Sequence, residues 1–94
     1  MNNFEFEIKS RKIGFHHDPL VIAEIGINHG GSLELAKKMA DLAIDAGVDV
    51  VKHQTHIVED EMSKEADKDV IEYIGKSIYK LMDDCSLSLD EEIE

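Results

Sequence analysis

Two stretches decide the fold: Leu20-Val21-Ile22-Ala23-Glu24-Ile25-Gly26, and Val48-Asp49-Val50-Val51-Lys52-His53-Gln54-Thr55. The first is nearly all apolar and is bounded by Pro19 and Gly26, which suits a strand covered on both faces, as in a parallel sheet. The second reads as another strand. Between them the period changes. Ser32 is a good N-cap, and Leu35, Met39, Leu42 or Ala43, and Ala46 fall at helical spacing. Glu34, Lys37, Lys38, Asp41 and Asp45 take the opposite face, and Gly47 sits where a left-handed residue ends a helix. Strand, glycine loop, helix, glycine, strand makes one βαβ unit with a right-handed crossover, which indicates an α/β fold.

Upstream, Phe4, Phe6 and Ile8 alternate with Asn3, Glu5, Glu7 and Lys9 at the period of a half-buried strand. Lys12 to Phe15 can return as its partner, with the turn near Ser10-Arg11, so residues 1–18 read as a β-hairpin. His16-His17-Asp18-Pro19 then breaks the pattern. Downstream, 56–68 is a charged connection, Asp69 to Ile74 is expected as a short helix, and Ser77 to Asp84 as another. Ser88-Leu89-Asp90-Glu91 has the form of a capping box opening a further helix. Two parallel strands joined by one crossover keep bare edges. With a capped helix opening at the chain's end, residues 19–94 are expected to be the opening βα units of something longer.

Composition narrows the function. The chain has 94 residues, 43% hydrophobic and 33% charged, as globular domains do. Its formal net charge of −11 argues against nucleic-acid and anionic-membrane partners. Most of that charge lies in residues 59–94, where 13 acids face 4 bases. No apolar run reaches the roughly 18–20 residues of a membrane span, the first residues lack a signal-peptide pattern, and one cysteine, Cys85, cannot form an internal disulfide. A cytoplasmic location is the expectation.

Three polar features interrupt the apolar strands. Glu24 is an acid inside the first strand, where an unpartnered carboxylate would be costly to bury. Lys52 and Gln54, at even spacing near the end of the second, share one face, with Val51 and His53 on the other. Asn28-His29-Gly30-Gly31-Ser32 leads into a helix N-terminus, where free N–H groups favour anions. α/β folds place active sites at the C-terminal ends of their strands. The plainer alternatives are a structural ion pair for Glu24 and Lys52, and an ordinary βα turn for the glycine loop. His53 and His56 do not have a usual zinc spacing, His16-His17 reads as a solvated turn, and Cys85 as a small packing residue.

The two motifs Ala23-Glu24-Ile25-Gly26-Ile27-Asn28-His29-Gly30-Gly31-Ser32-Leu33-Glu34-Leu35-Ala36 and Ala46-Gly47-Val48-Asp49-Val50-Val51-Lys52-His53-Gln54-Thr55 closely resemble the N-terminal part of bacterial sialic acid synthases, in the nonulosonic acid synthase family. His56 to Ser63 and Ser77-Ile78-Tyr79 share the likeness, which runs from about residue 19 to 90. The resemblance implies a (β/α)₈ TIM barrel, of which this chain carries an incomplete N-terminal portion with its leading β-hairpin. It also implies a transferase of sialic acid biosynthesis that condenses phosphoenolpyruvate with N-acetylmannosamine or a related N-acetylated amino sugar, giving a nine-carbon 2-keto acid and phosphate. A divalent ion, Mn²⁺ or Mg²⁺, serves such enzymes, with ligands in later strands outside this chain, and a homodimer is the implied assembly.

Carried onto this sequence, the resemblance makes Glu24 the strand glutamate that contacts the sugar and is a candidate for proton handling. Lys52 becomes the lysine that neutralises phosphoenolpyruvate, and Gln54 the glutamine that orients the sugar. It assigns no metal ligand among the five histidines. Two positions depart from the family pattern. His53 stands where phenylalanine is common, and Tyr73 takes the place of a sugar-binding asparagine, which leaves legionaminic or another nonulosonic acid open as the product. The fragment alone is expected to be inactive. The alternatives are a stand-alone binding or assembly module that retains the half-site without catalysis, and another barrel enzyme using phosphoenolpyruvate or aldol chemistry.

Overall fold

The computed structural model describes residues 4–94. Residues 1–3, which the expected N-terminal hairpin included, lie outside the described residues. β1 (Glu5–Ile8) and β2 (Arg11–Gly14) pair antiparallel, with Ile8 opposite Arg11. Lys9 and Ser10 form the two-residue turn with φ of 45° and 65°, the left-handed pair that matches strand twist in a tight hairpin.

β3 (Ile22–Gly26), α1 (Leu33–Asp45) and β4 (Val50–His53) form the expected βαβ unit, with β3 and β4 parallel. The ends of α1 follow from particular residues. Ser32 Oγ accepts the Leu35 N–H at 3.1 Å. At the other end Gly47, at φ 87°, donates to Ile44 O at 2.9 Å and Val48 donates to Ala43 O at 3.4 Å. That pair of bonds is a Schellman motif, which needs the left-handed residue glycine supplies.

Both strands are shorter or shifted relative to the expectation, because Asp49 has other work. Its Oδ2 accepts the Val21 N–H at 2.9 Å and its Oδ1 meets Arg11 Nη1 at 2.5 Å. Arg11 also donates to the carbonyls of Asp18 and Pro19, at 3.4 and 3.2 Å. The hairpin is thereby tied to the foot of the parallel pair.

Beyond β4 come α2 (Val58–Glu61), a 3₁₀ turn (Lys64–Lys68), β5 (Val70–Ile71), β6 (Lys76–Ser77), α3 (Ile78–Asp84) and α4 (Leu89–Ile93). The short helix expected over Asp69–Ile74 is instead a hairpin: β5 and β6 pair antiparallel. Gly75, at φ 79°, reverses the chain, and its N–H donates to Ile71 O at 2.8 Å. β-branched Val70 and Ile71 suit the extended form. The helix expected from Ser77 is present, with Ser77 itself as N-cap, and the capping box at Ser88 forms with Glu91.

The described strands make three separate two-stranded sheets, and no closed barrel. The core is small: Ile25, Ala36, Val58 and Leu87 are its buried apolar residues, while Phe4, Phe15, Leu42 and Ile44 stay more than half exposed. The radius of gyration, 17.8 Å, exceeds the roughly 12 Å of a compact domain this size. No helix among the described residues is long and apolar enough to cross a membrane.

Candidate functional site

Glu24 and Lys52 are register partners on adjacent parallel strands, and Lys52 Nζ lies 3.0 Å from Glu24 Oε1. Contrary to the expectation that the apolar run buries its acid, both side chains are more than half exposed, 61% and 56%. The reason is topological. β3 and β4 pair only with each other, so the face that carries Glu24 and Lys52 has no covering layer within these residues. An exposed pair of this kind contributes only about 0–1 kcal/mol, so stability is a weak reason for placing two charges there. An ammonium held beside a carboxylate can instead receive an anionic ligand while the carboxylate takes or returns a proton.

Gln54 lies one residue beyond β4, outside the strictly alternating part of the strand. Its Oε1 is 3.0 Å from His56 Nε2. The other ring nitrogen, Nδ1, faces both carboxylate oxygens of Glu61, at 3.0 and 2.9 Å. His56 therefore sits between Gln54 and α2. Nothing in the one-dimensional spacing of these residues signals the link, because α2 is a single turn with no helical period to detect.

The glycine loop is occupied by its own bonds. The N–H groups of Asn28, Gly30 and Ser32 donate to Ile25, Ile27 and His29 carbonyls at 3.2, 3.0 and 3.1 Å, and Gly31 N–H donates to His29 Nδ1 at 3.0 Å. The loop thus favours the plain βα turn over an anion cradle. It is also packed from outside: a Cβ on Gly31, at φ 89°, would lie 2.5 Å from Asp84 O.

His29 was not singled out by itself in the sequence, yet it is 2% exposed, the most buried polar side chain described. Its ring centroid is 5.5 Å from that of His53, whose Nε2 is 2.8 Å from Glu92 Oε2. Because His29 Nδ1 accepts from Gly31, the neutral ring carries its proton on Nε2, which is buried without a partner. Desolvation lowers its proton affinity, the charge of His53 lowers it further, and Glu92 opposes. His53 thus joins β4 to α4 through Glu92. Among the described residues no three His, Cys, Asp or Glu groups converge as a metal site, so these residues do not fit a metal by themselves.

Comparison with known proteins gives this geometry a setting. N,N'-diacetyllegionaminic acid synthase of Campylobacter jejuni is 47% identical over 49 residues, 52% of this chain and 15% of that one. N-acetylneuraminate-9-phosphate synthase of Homo sapiens is 39% identical over 56 residues, 60% of this chain and 16% of that one. The crystal structure of N-acetylneuraminic acid (sialic acid) synthetase from Leptospira borgpetersenii in complex with citrate superposes with a TM-score of 0.72 at 27% identity, over 97% of this chain and 28% of that one. The chain is similar to one part of a sialic acid synthase. No family model matches it. This synthase-like chain spans less than a third of the length of each of these relatives, and its mixed α/β arrangement follows the solved synthetase over nearly all of its own length. The relatives are synthases, and the spore coat polysaccharide biosynthesis protein SpsE of Bacillus subtilis, 43% identical over 49 residues, also matches.

Proposed function

We propose that these residues form the opening part of a TIM-barrel synthase domain, with 1–18 as a leading hairpin and 19–94 as the first βα units. In this reading they contribute Glu24, Lys52 and Gln54 to a site that condenses phosphoenolpyruvate with N-acetylmannosamine or a related amino sugar. The carrying observation is the register pairing of Glu24 and Lys52 on an uncovered face, with their charged groups 3.0 Å apart. Lys52 binds the anionic phosphoenolpyruvate, where a fixed ammonium is the fitting partner. Glu24 contacts the sugar and handles a proton, and Gln54 orients the sugar by hydrogen bonds. Later strands cover the Glu24–Lys52 face, complete the site and supply the ligands of a divalent ion, Mn²⁺ or Mg²⁺. The complete enzyme works in the cytoplasm as a homodimer.

The exposed Phe4, Phe15, Leu42 and Ile44 also support a second reading, an inactive binding or assembly module whose apolar faces a partner covers. In either reading the 94-residue protein alone releases no phosphate from phosphoenolpyruvate, N-acetylmannosamine and Mn²⁺, and a chimera separates the two. A chimera of the Campylobacter jejuni synthase carrying residues 19–94 in place of its matching segment releases phosphate with its own amino sugar. A folded chimera without turnover would favour the module.

A further inference from the structure

We infer that His56 and Glu61 are positioning residues that hold the Gln54 amide in one orientation toward the ligand; this rests on the reading of Gln54 as a sugar-orienting residue.

The inference begins with what each atom can do. An ionised carboxylate only accepts, so the His56 nitrogen facing Glu61 at 2.9–3.0 Å, Nδ1, carries a proton. The other ring nitrogen, Nε2, is 3.0 Å from the Gln54 amide, so one end of that amide is engaged by the ring and the other is left for a ligand. The free end suits a sugar hydroxyl, which both donates and accepts.

The support behind the ring is built rather than incidental. The His56 side chain is 16% exposed and Glu61 36%, whereas Gln54 itself is exposed. Glu61 Oε1 is anchored a second time, accepting the Ile57 N–H at 3.3 Å. An exposed amide is thus held by a mostly buried ring, and the ring by a carboxylate tied to the backbone of its own helical turn. Locking a site residue through a second layer of hydrogen bonds is how a functional amide keeps one orientation. Without the ring, the Gln54 amide would rotate freely and present its two ends equally.

The test is NMR of the ¹⁵N-labelled protein, reading the ¹H–¹⁵N nuclear Overhauser effect of the Gln54 side-chain amide, which reports its picosecond-to-nanosecond mobility. The expected result is a restricted Gln54 amide in the unmodified protein. His56→Phe keeps the ring but removes both nitrogens, and should drop the effect to that of a freely solvated glutamine. His56→Gln, which can place a donor or an acceptor near the lost Nε2, should restore much of it. Glu61→Ala should loosen Gln54 although the two residues do not touch.

A Gln54 amide already as mobile as a solvated glutamine in the unmodified protein would overturn the inference, with no variant needed. So would a His56→Phe protein with an unchanged β3 and β4 backbone spectrum and an unchanged Gln54 signal. Since this measurement involves no turnover, its failure is distinct from failure of the synthase reading, which the chimera's phosphate release reports.

Discussion

Arg11 and Asp49, 38 positions apart in the chain, meet with Nη1 and Oδ1 at 2.5 Å, and the second oxygen of Asp49 holds the Val21 N–H at 2.9 Å. One carboxylate thus closes the foot of β3 against β4 and anchors the N-terminal hairpin. Asp49→Ala removes both bonds, which should destabilise the protein by about 0.5–1.5 kcal/mol. Asp49→Asn keeps an acceptor for Val21 and should cost less. Urea unfolding of the two variants checks the order.

The βαβ unit was legible because its signals are local: an apolar run, a period change, Ser32 and Gly47 at the helix ends. The hairpin at residues 70–77 was misread as a helix because a two-residue strand has no period to detect, and Gly75 alone decides the reversal. At the candidate site, the nearness of Glu24 and Lys52 followed from their places toward the C-terminal ends of neighbouring parallel strands. Their exposure did not, since it depends on which strands flank β3 and β4. The His56–Glu61 and His29–His53 contacts were hidden for a different reason: they depend on loop paths, which no spacing rule encodes.

Gly31 combines a left-handed backbone, φ 89°, with a neighbour, Asp84 O, that would lie 2.5 Å from any Cβ. Gly31→Ala should destabilise the protein by about 1–3 kcal/mol or more, since strain and the clash with rigid backbone add. Thermal melting measures it. An unchanged melting temperature would mean that the glycine loop does not pack on the end of α3.

His29 should make stability depend on pH. Burial holds its proton affinity below the ordinary value of 6.5, so the unfolded chain takes up the proton at a higher pH than the folded one. The contribution is fully present above about pH 6.5 and declines as pH falls through that value toward the lower folded one. His29→Gln should flatten this part of the profile. Urea midpoints at pH 7.5 and 5.5 for both proteins measure the difference, and an equal acid loss in both would contradict the assignment.

Ser88 and Glu91 exchange bonds at the start of α4, Glu91 N–H to Ser88 Oγ at 3.2 Å and Ser88 N–H to Glu91 Oε1 at 3.0 Å. Ser88→Ala should weaken this turn by about 1 kcal/mol. Amide exchange in residues 89–93 should then rise while α1 is unaffected.

The account rests most heavily on Lys52 as the group that receives phosphoenolpyruvate. The direct measurement is phosphate release by the Campylobacter jejuni chimera carrying residues 19–94, with and without Lys52→Ala. The account predicts turnover in the first and a loss of at least about 100-fold in kcat/KM in the second, the scale of a fixed charge aligned with a reacting anion. A folded Lys52→Ala chimera with unchanged kcat and unchanged KM for phosphoenolpyruvate would contradict it.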